Sequence, residues 1–215
     1  MSTATDPARR PEPTVYVIDD DDSIRELLIW LMKRNGIRVE TFADAKSFLA
    51  GWRDEGPSCL VLDLHLPDMN GLDLQRLLIE RGVAMPVIFL SGRADVPRAV
   101  HAVKSGAVDF IEKPFDYKRI VTLVQECLER DAACRAGRDR ARVVAQRLAS
   151  LTHREREVLD RVVAGKMNRE IAESLDISIK TVEAHRSRIM EKLEVGSVAE
   201  LVQAAMAAGG AGTGG

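Results

Sequence analysis

Five polar side chains stand where apolar, strand-like patterns end. Asp19 and Asp20 end the first such pattern, Asp63 the third, Ser91 the fourth and Lys113 the fifth. Carboxylates brought close together raise one another's pKa values, and a divalent cation relieves that repulsion. Oxygen ligands without a His or Cys set favour Mg²⁺ over zinc. A lysine beside them supplies a point charge for a phosphoryl group, and a serine hydroxyl can donate to its oxygens.

Each residue also has a purely structural interpretation. Aspartates after a strand often lie at a helix N-terminus, where the helix dipole favours negative charge. A Lys-Pro pair before a helix is an ordinary turn. Together, at the ends of four strands, these residues favour a functional cluster.

The elements that must position this cluster alternate between strand and helix up to about residue 130. Such alternation predicts βαβ units in an α/β doubly wound domain with a five-stranded parallel sheet. In the strand order 2-1-3-4-5, strands one and three are neighbours, and such folds bind ligands in the crevice at their carboxyl ends. The predicted strands are 14–18, 38–42, 59–63, 85–90 and 108–112, and the predicted helices are 23–34, 43–52, 71–81, 96–105 and one from 117.

Beyond the predicted sheet the sequence becomes wholly helical. Six arginines against three acids give residues 128–150 a local charge of +3, which indicates a solvated helical linker, with contact to a DNA backbone as the minority interpretation. Four short helices follow, at 154–164, 169–175, 179–193 and 198–208. Thr152 with Glu155 forms a predicted capping box, and Asn168 and Ser178 are the predicted caps of the next two helices.

The second and third of these helices have the spacing of a helix-turn-helix. In the third helix Val182, Ile189 and Leu193 share one face, which predicts that they pack inward. The opposite face carries Lys180, Glu183, Ala184, Ser187 and Arg188. Small side chains flanked by cations suit a major groove. Residues 151–208 nevertheless hold nine basic and ten acidic residues, so composition alone favours a protein-binding bundle over DNA binding.

The remaining composition indicates a cytoplasmic protein. Cys59, Cys127 and Cys134 lack metal-ligand spacing and are expected to be reduced thiols. No apolar run approaches the ~20 residues of a transmembrane helix, so no membrane partner is expected. Residues 1–13 and 209–215 are predicted to be disordered, because the first is polar and proline-rich and the second is mostly glycine.

A set of short motifs resembles the receiver domain of bacterial two-component response regulators. The resemblance covers residues 14–130, and segments 94–97 and 106–110 are most similar to the FixJ branch. The motifs are Ile18-Asp19-Asp20, Leu62-Asp63, Pro67-Asp68-Met69-Asn70-Gly71, Ser91-Gly92 and Asp109-Phe110-Ile111-Glu112-Lys113-Pro114-Phe115.

The resemblance implies that Asp63 is the phosphoacceptor of a partner sensor histidine kinase. It implies Mg²⁺ as cofactor, held by Asp20, Asp63 and the main-chain carbonyl of His65, with Asp19 acting mostly through water.

The same resemblance implies a switch. Lys113 would neutralise the phosphoryl group and precede a cis bond to Pro114. Ser91 would move toward the group, and Phe110 would turn into the space that it leaves. Helices 96–105 and 117–128 would then change shape together and form a homodimer on phosphorylation.

The second part of the chain is similar to LuxR-type DNA-binding domains over residues 148–208, with 131–147 as the linker. The motifs are Leu151-Thr152, Arg154-Glu155, Glu157-Val158-Leu159, Gly165, Asn168, Ile171-Ala172, Ser178, Lys180-Thr181-Val182, His185 and Lys192-Leu193. The similarity implies double-stranded DNA as a partner, bound as paired half-sites, and RNA polymerase is a further candidate partner. The implied DNA-binding residues are Lys180, Thr181, Glu183, Ala184, His185, Ser187, Arg188 and Lys192.

The sequence therefore predicts a transcription regulator that is not an enzyme beyond self-phosphorylation and slow self-dephosphorylation at Asp63. Two rival classes are kept. A phosphatase or dehalogenase also uses a strand-end Asp, but usually places an acid two residues later, where this chain has His65. The other rival is a phospho-relay adaptor whose C-terminal bundle binds protein.

Overall fold

The computed structural model describes residues 12–92 and 107–209. The predicted helix 96–105 and almost all of the two predicted disordered ends lie outside the described residues. The chain divides into two compact units, Met1–Arg135 and Ala136–Gly215.

The first unit contains a five-stranded sheet in which every pair is parallel. Its order is β2-β1-β3-β4-β5, which confirms the predicted fold. Every residue of β1, β3 and β4 is buried, as expected where helices cover both faces of a parallel sheet. The strands are β1 Thr14–Ile18, β2 Arg38–Phe42, β3 Ser58–Asp63, β4 Val87–Ser91 and β5 Asp109–Glu112.

Helices pack on both faces of this sheet and create two apolar layers. One layer contains side chains of α1 and α4, and the other contains side chains of α2 and α3. The helix α4 continues without a break into the second unit, so the predicted linker 131–147 lies within one helix. The bounds are α1 Asp22–Arg34, α2 Ala45–Gly51, α3 Gly71–Glu80 and α4 Tyr117–Ala149.

The acidic run after β1 is divided between two tasks. Asp21 is the N-cap of α1, and its side chain accepts a hydrogen bond from the main-chain nitrogen of Ser23 at 2.8 Å. Asp22 lies in the first turn, where the helix dipole favours a negative charge. The helix begins one residue before the predicted Ser23, and Asp19 and Asp20 are left at the sheet edge.

The second unit is helical over its described residues. Its apolar core contains Val158, Ile171, Val182 and Leu201, all fully or almost fully buried. The inward packing predicted for Val182, Ile189 and Leu193 is confirmed. Beside the end of α4, the helices are α5 His153–Val163, α6 Asn168–Leu175, α7 Ile179–Leu193 and α8 Val198–Gly209.

Two of the three predicted caps in this unit are confirmed. Thr152 and Glu155 form the capping box of α5, and the Ser178 hydroxyl accepts from the Thr181 nitrogen at 3.0 Å. The prediction for Asn168 is wrong. Met167 occupies the N-cap position, and the side-chain oxygen of Asn168 instead accepts a hydrogen bond from Arg186 of α7 at 2.5 Å.

Gly71 lets α3 start directly against the end of β3. A Cβ atom at this position would lie 2.5 Å from the main-chain oxygen of Asp63 and 3.1 Å from the Phe89 ring. Backbone atoms of a buried strand cannot move aside as a flexible side chain can, so only glycine fits here without a shift.

We therefore expect Gly71→Ala to destabilise the first unit by about 1–3 kcal/mol, the usual cost of overpacking. Urea unfolding followed by tryptophan fluorescence measures this unit alone, because both tryptophans, Trp30 and Trp52, belong to it. Gly92→Ala is the matched control, since no atom of the described residues lies within 4 Å of its Cβ position. Equal midpoints for the two variants would contradict the steric argument.

Candidate functional site

The carboxylate cluster is created by the register of β1 and β3. Ile18 pairs with Leu62, so the next residues, Asp19 and Asp63, leave the sheet side by side. One carboxylate oxygen from each of Asp19, Asp20 and Asp63 lies within 4.8 Å of the others. Asp19 is fully buried and Asp63 nearly so, whereas Asp20 is exposed.

Lys113 joins the two buried carboxylates. Its Nζ lies 2.6 Å from Oδ2 of Asp19 and 2.7 Å from Oδ2 of Asp63. The remaining oxygens are held by main-chain nitrogens, with Asp21 donating to Oδ1 of Asp19 at 3.1 Å and His65 donating to Oδ1 of Asp63 at 3.0 Å. Each buried carboxylate is thus bound on one oxygen by the backbone and on the other by one ammonium group.

Burial and charge oppose each other in this cluster. Burial raises the pKa of Asp19, and the hydrogen bond from Lys113 only partly offsets that rise. Burial by itself would lower the pKa of Lys113, but its hydrogen bonds to Asp19 and Asp63 prevail, and the pKa is raised. The lysine therefore stays charged between the two acids.

The donor set fits a magnesium ion. Hard carboxylate oxygens, one of them on the exposed Asp20, satisfy the preference of Mg²⁺ for oxygen ligands and retained water. Three carboxylates lie together and Lys113 pairs with two of them, which leaves negative charge for a cation to balance.

Three further residues predicted from the sequence lie around the cluster. Ser91 is buried at the end of β4, and its main-chain oxygen accepts from the Lys113 nitrogen at 2.7 Å. Phe110 is half-buried on β5 beside Phe89. The main chain of His65 pairs with Asn70 in the loop after β3. The Lys113–Pro114 bond is cis, as predicted.

Sequence reasoning missed Arg25. Its guanidinium donates to the main-chain oxygen of Asp19 and forms an ion pair with Asp22. The three-residue spacing from Asp22 on a helix was the available signal for the ion pair, whereas the bond to the Asp19 main chain has no signal in the sequence.

In the second unit, α7 presents six of its eight predicted DNA-binding side chains to solvent. These residues lie on the side opposite the buried Val182 and Ile189. The exposed six are Lys180, Thr181, Glu183, Ala184, Ser187 and Arg188.

His185 and Lys192 do not share that exposure. His185 is half-buried, and its Nδ1 lies within the protein interior. The Nζ of Lys192 lies 2.6 Å from Oε2 of the buried Glu155. The same oxygen accepts from the Thr152 nitrogen and hydroxyl at 2.8 and 2.9 Å. Lys192 therefore joins the C-terminal end of α7 to the N-terminal end of α5.

Comparison with known proteins matches both units. Residues 15–125 match the model of the response regulator receiver domain, and residues 149–205 match the model of bacterial regulatory proteins of the luxR family. No helix within the described residues has the length and apolar character needed to cross a membrane.

Similar proteins extend over nearly the whole chain. The transcriptional regulatory protein FixJ of Rhizobium meliloti is 42% identical over 196 residues, or 91% of this chain and 96% of that protein. The response regulator TodT of Pseudomonas putida is 40% identical over 189 residues, 88% of this chain and 83% of that protein. Among solved structures, the response regulator StyR is 40% identical with a TM-score of 0.85, covering 91% of this chain and 99% of that chain.

The Glu155–Lys192 pair yields a prediction of pH dependence. The hydrogen bond from Lys192 and those from Thr152 outweigh the effect of burial and lower the pKa of Glu155 from 4.5 to about 2. A lowered folded-state pKa gives stability that is complete above about pH 4.5 and is lost as the pH falls toward 2. We expect Glu155→Gln to cost about 1–3 kcal/mol at pH 7 and much less at pH 3.

The measurement is urea unfolding followed by far-ultraviolet circular dichroism, with tryptophan fluorescence identifying the transition of the first unit. Glu173→Gln is the matched control, because Glu173 is mostly exposed and forms a surface pair with Arg169 worth under about 1 kcal/mol. An equal loss of stability at both pH values would exclude the assigned pKa.

Proposed function

The chain belongs to the two-component response regulators that combine a receiver domain with a LuxR-type DNA-binding domain, and we propose on that basis that phosphorylation of Asp63 controls its binding to DNA. The bridge from Lys113 to Asp19 and Asp63 is the observation that carries the proposal. Its relatives are named as transcriptional and response regulators, so the proposed activity is regulation of transcription in the bacterial cytoplasm.

The chemistry follows from the environment of Asp63. A carboxylate oxygen attacks the phosphorus of a phosphohistidine on a partner sensor histidine kinase. A phosphorus–oxygen bond forms, the phosphorus–nitrogen bond breaks, and the released imidazole takes up a proton. Lys113, which lies within hydrogen-bonding distance of Asp63, stabilises the added negative charge.

The proposed cofactor is Mg²⁺, held by Asp19, Asp20, Asp63 and the main-chain oxygen of His65. When bound, the ion neutralises charge on the phosphoryl oxygens. The His65 main chain already contacts Asp63 through its nitrogen, so one short loop fixes both the acceptor and a proposed ligand.

The proposed switch uses Ser91 and Phe110. The phosphoryl group carries about 1.5 to 2 negative charges in place of the single charge of the carboxylate, and the Ser91 hydroxyl moves to donate to its oxygens. Phe110 turns inward, and its half-buried position on β5 gives it room for two arrangements. The surface beside β5 and the start of α4 then favours a homodimer.

The proposed DNA interface is the exposed side of α7. Lys180 and Arg188 contact phosphates, while Thr181, Ala184 and Ser187 lie near base edges, where small side chains allow a helix to enter the major groove. A homodimer presents two such helices to paired half-sites. The structure gives Lys192 a different partner, Glu155, so its contribution is to hold α7 in place.

Asp63→Asn is expected to abolish phosphorylation, because the amide replaces the nucleophilic carboxylate. Incubation of the full chain with radiolabelled acetyl phosphate and Mg²⁺ measures the incorporation directly. Asp73→Asn removes an exposed carboxylate from α3 and should label like the wild type. Undiminished labelling of Asp63→Asn would overturn the assignment.

Arg188→Ala is expected to weaken DNA binding and to reduce the slope of log K against log salt by about 1, as for the loss of one phosphate contact. The operator is first obtained by selection from random double-stranded DNA with the phosphorylated protein. Binding is then measured by fluorescence anisotropy at several salt concentrations.

Arg169→Ala is the matched control, because Arg169 is an exposed arginine on α6 that pairs with Glu173. It should leave the salt slope unchanged. A selection that recovers no DNA sequence at all would instead favour a C-terminal unit that binds protein.

A further inference from the structure

A buried acid outside the phosphoryl site lies where α4 leaves the first unit. The side chain of Asp131 is 1% exposed. Its Oδ2 accepts hydrogen bonds from the Ser58 nitrogen at 2.9 Å and from Nε of Arg135 at 2.6 Å. Nη2 of Arg135 then donates to Oδ1 of Asp54 at 2.5 Å. We call these four residues, Asp54, Ser58, Asp131 and Arg135, the exit clasp.

The clasp satisfies a main-chain group that the sheet leaves without a strand partner. In a strand, main-chain nitrogens two residues apart point to the same side. The Leu60 nitrogen donates to the Pro86 oxygen, which directly precedes β4. The Ser58 nitrogen, two residues earlier, points to the same side of β3, at a level that β4 does not reach. A buried N–H without a hydrogen-bond acceptor destabilises the fold, and the Asp131 carboxylate supplies that acceptor.

Packing alone does not require a carboxylate at this position. A buried charge is costly to desolvate, and an apolar residue of similar size often packs as well or better. Apolar contacts already hold α4 to the sheet through Ile120, Val124, Cys127 and Leu128. Asp131 adds a fixed position, because its hydrogen bond holds one point of α4 at the Ser58 nitrogen of β3.

The exit clasp and the proposed phosphoacceptor lie at opposite ends of β3. Ser58 is the first residue of β3 and Asp63 is the last, so the clasp lies about 17 Å from the acceptor along a single strand. The other end of α4, at Tyr117, follows Lys113 by four residues. The helix is thus attached near the carboxylates at its start and to the opposite end of the same strand at Asp131.

Beyond Arg135 the helix enters the second unit. There Arg147 donates to the main-chain oxygen of Leu193 at 3.2 Å and forms an ion pair with Glu194. Leu193 and Glu194 are the last residue and the C-cap of α7. One uninterrupted helix therefore has a fixed polar contact at the last turn of the first unit and another at the end of the DNA-facing helix.

We propose that Asp131 is a positioning residue for signal transfer, and that the exit clasp fixes the point about which α4 carries a change at the phosphoryl site to α7. This inference rests on the proposed function, since it presumes that Asp63 is phosphorylated. Without the clasp, movement near Lys113 is absorbed by sliding of α4 on the sheet and does not reach residues beyond Arg135.

The test compares Asp131→Leu and Arg135→Ala with the wild-type full chain. Labelling of Asp63 by acetyl phosphate should stay within about twofold of wild type, because the clasp lies at the far end of β3. The gain in DNA affinity on phosphorylation should fall at least fivefold in both variants. Amide hydrogen exchange should also show that Ser58 loses its protection in Asp131→Leu and retains it in Arg135→Ala.

Asp139→Leu is the matched control, because Asp139 lies on the same helix but is 70% exposed, with only a surface contact to Arg142. It should respond to phosphorylation as the wild type does. If Asp131→Leu fails to fold, Arg135→Ala decides the outcome, because it removes the second link of the clasp, from α4 to Asp54, and the positive charge that pairs with Asp131.

Different results would overturn the proposed function and the proposed role of the exit clasp. A wild-type chain that neither labels at Asp63 nor gains DNA affinity on labelling would overturn the proposed function. A responsive wild type, together with a full response in Arg135→Ala and in any folded Asp131→Leu, would overturn the role of the clasp and leave the proposed function intact.

Discussion

The ion pairs of Lys113 with Asp19 and Asp63 are the interaction on which the first unit depends. Removing a carboxylate from water costs several kcal/mol unless a cation and hydrogen bonds replace the lost hydration. Two such groups lie at adjacent strand ends, and one ammonium group serves both at 2.6 and 2.7 Å. The parallel register of β1 with β3 brings the two carboxylates together, and the bond from the Lys113 nitrogen to the Ser91 oxygen holds the lysine at the end of β4.

The same constraint appears wherever the described part of the chain buries an acid. The buried acidic residues there are Asp19, Asp63, Asp131 and Glu155. Lys113 pairs with the first two, Arg135 with Asp131 and Lys192 with Glu155. Lys113 joins strand ends at the sheet edge, and Lys192 with Glu155 joins α7 to α5. The Arg135–Asp131 pair lies within α4, where Asp131 also binds the Ser58 nitrogen of β3. Each buried acid of the described residues therefore takes part in a contact that connects two elements of secondary structure.

Local patterns predicted most of the fold and the membership of the first site. Apolar strands that end in Asp19, Asp63, Ser91 and Lys113 indicate the sheet edge because a strand's direction and length are local properties. Patterns failed where a partner is distant. Asn168 has the composition of a cap but bonds to Arg186 of another helix. No local pattern indicates the bond from Lys192 to Glu155, 37 residues earlier, and the DNA contact expected for Lys192 stays a prediction. Nothing local indicates that Asp131 bonds to Ser58, 73 residues away.

The charge balance distinguishes the carboxylate cluster at the sheet edge from the other two pairs. Glu155 and Lys192 cancel, and Arg135 compensates the buried Asp131 while its outer nitrogen reaches the exposed Asp54. At the sheet edge three carboxylates face one lysine, which leaves a formal excess of two negative charges beside a solvent-exposed Asp20. A divalent cation would balance that excess. Among the buried acidic clusters of the described residues, this site is therefore the one where the protein's own cations leave room for the charge of a divalent ion.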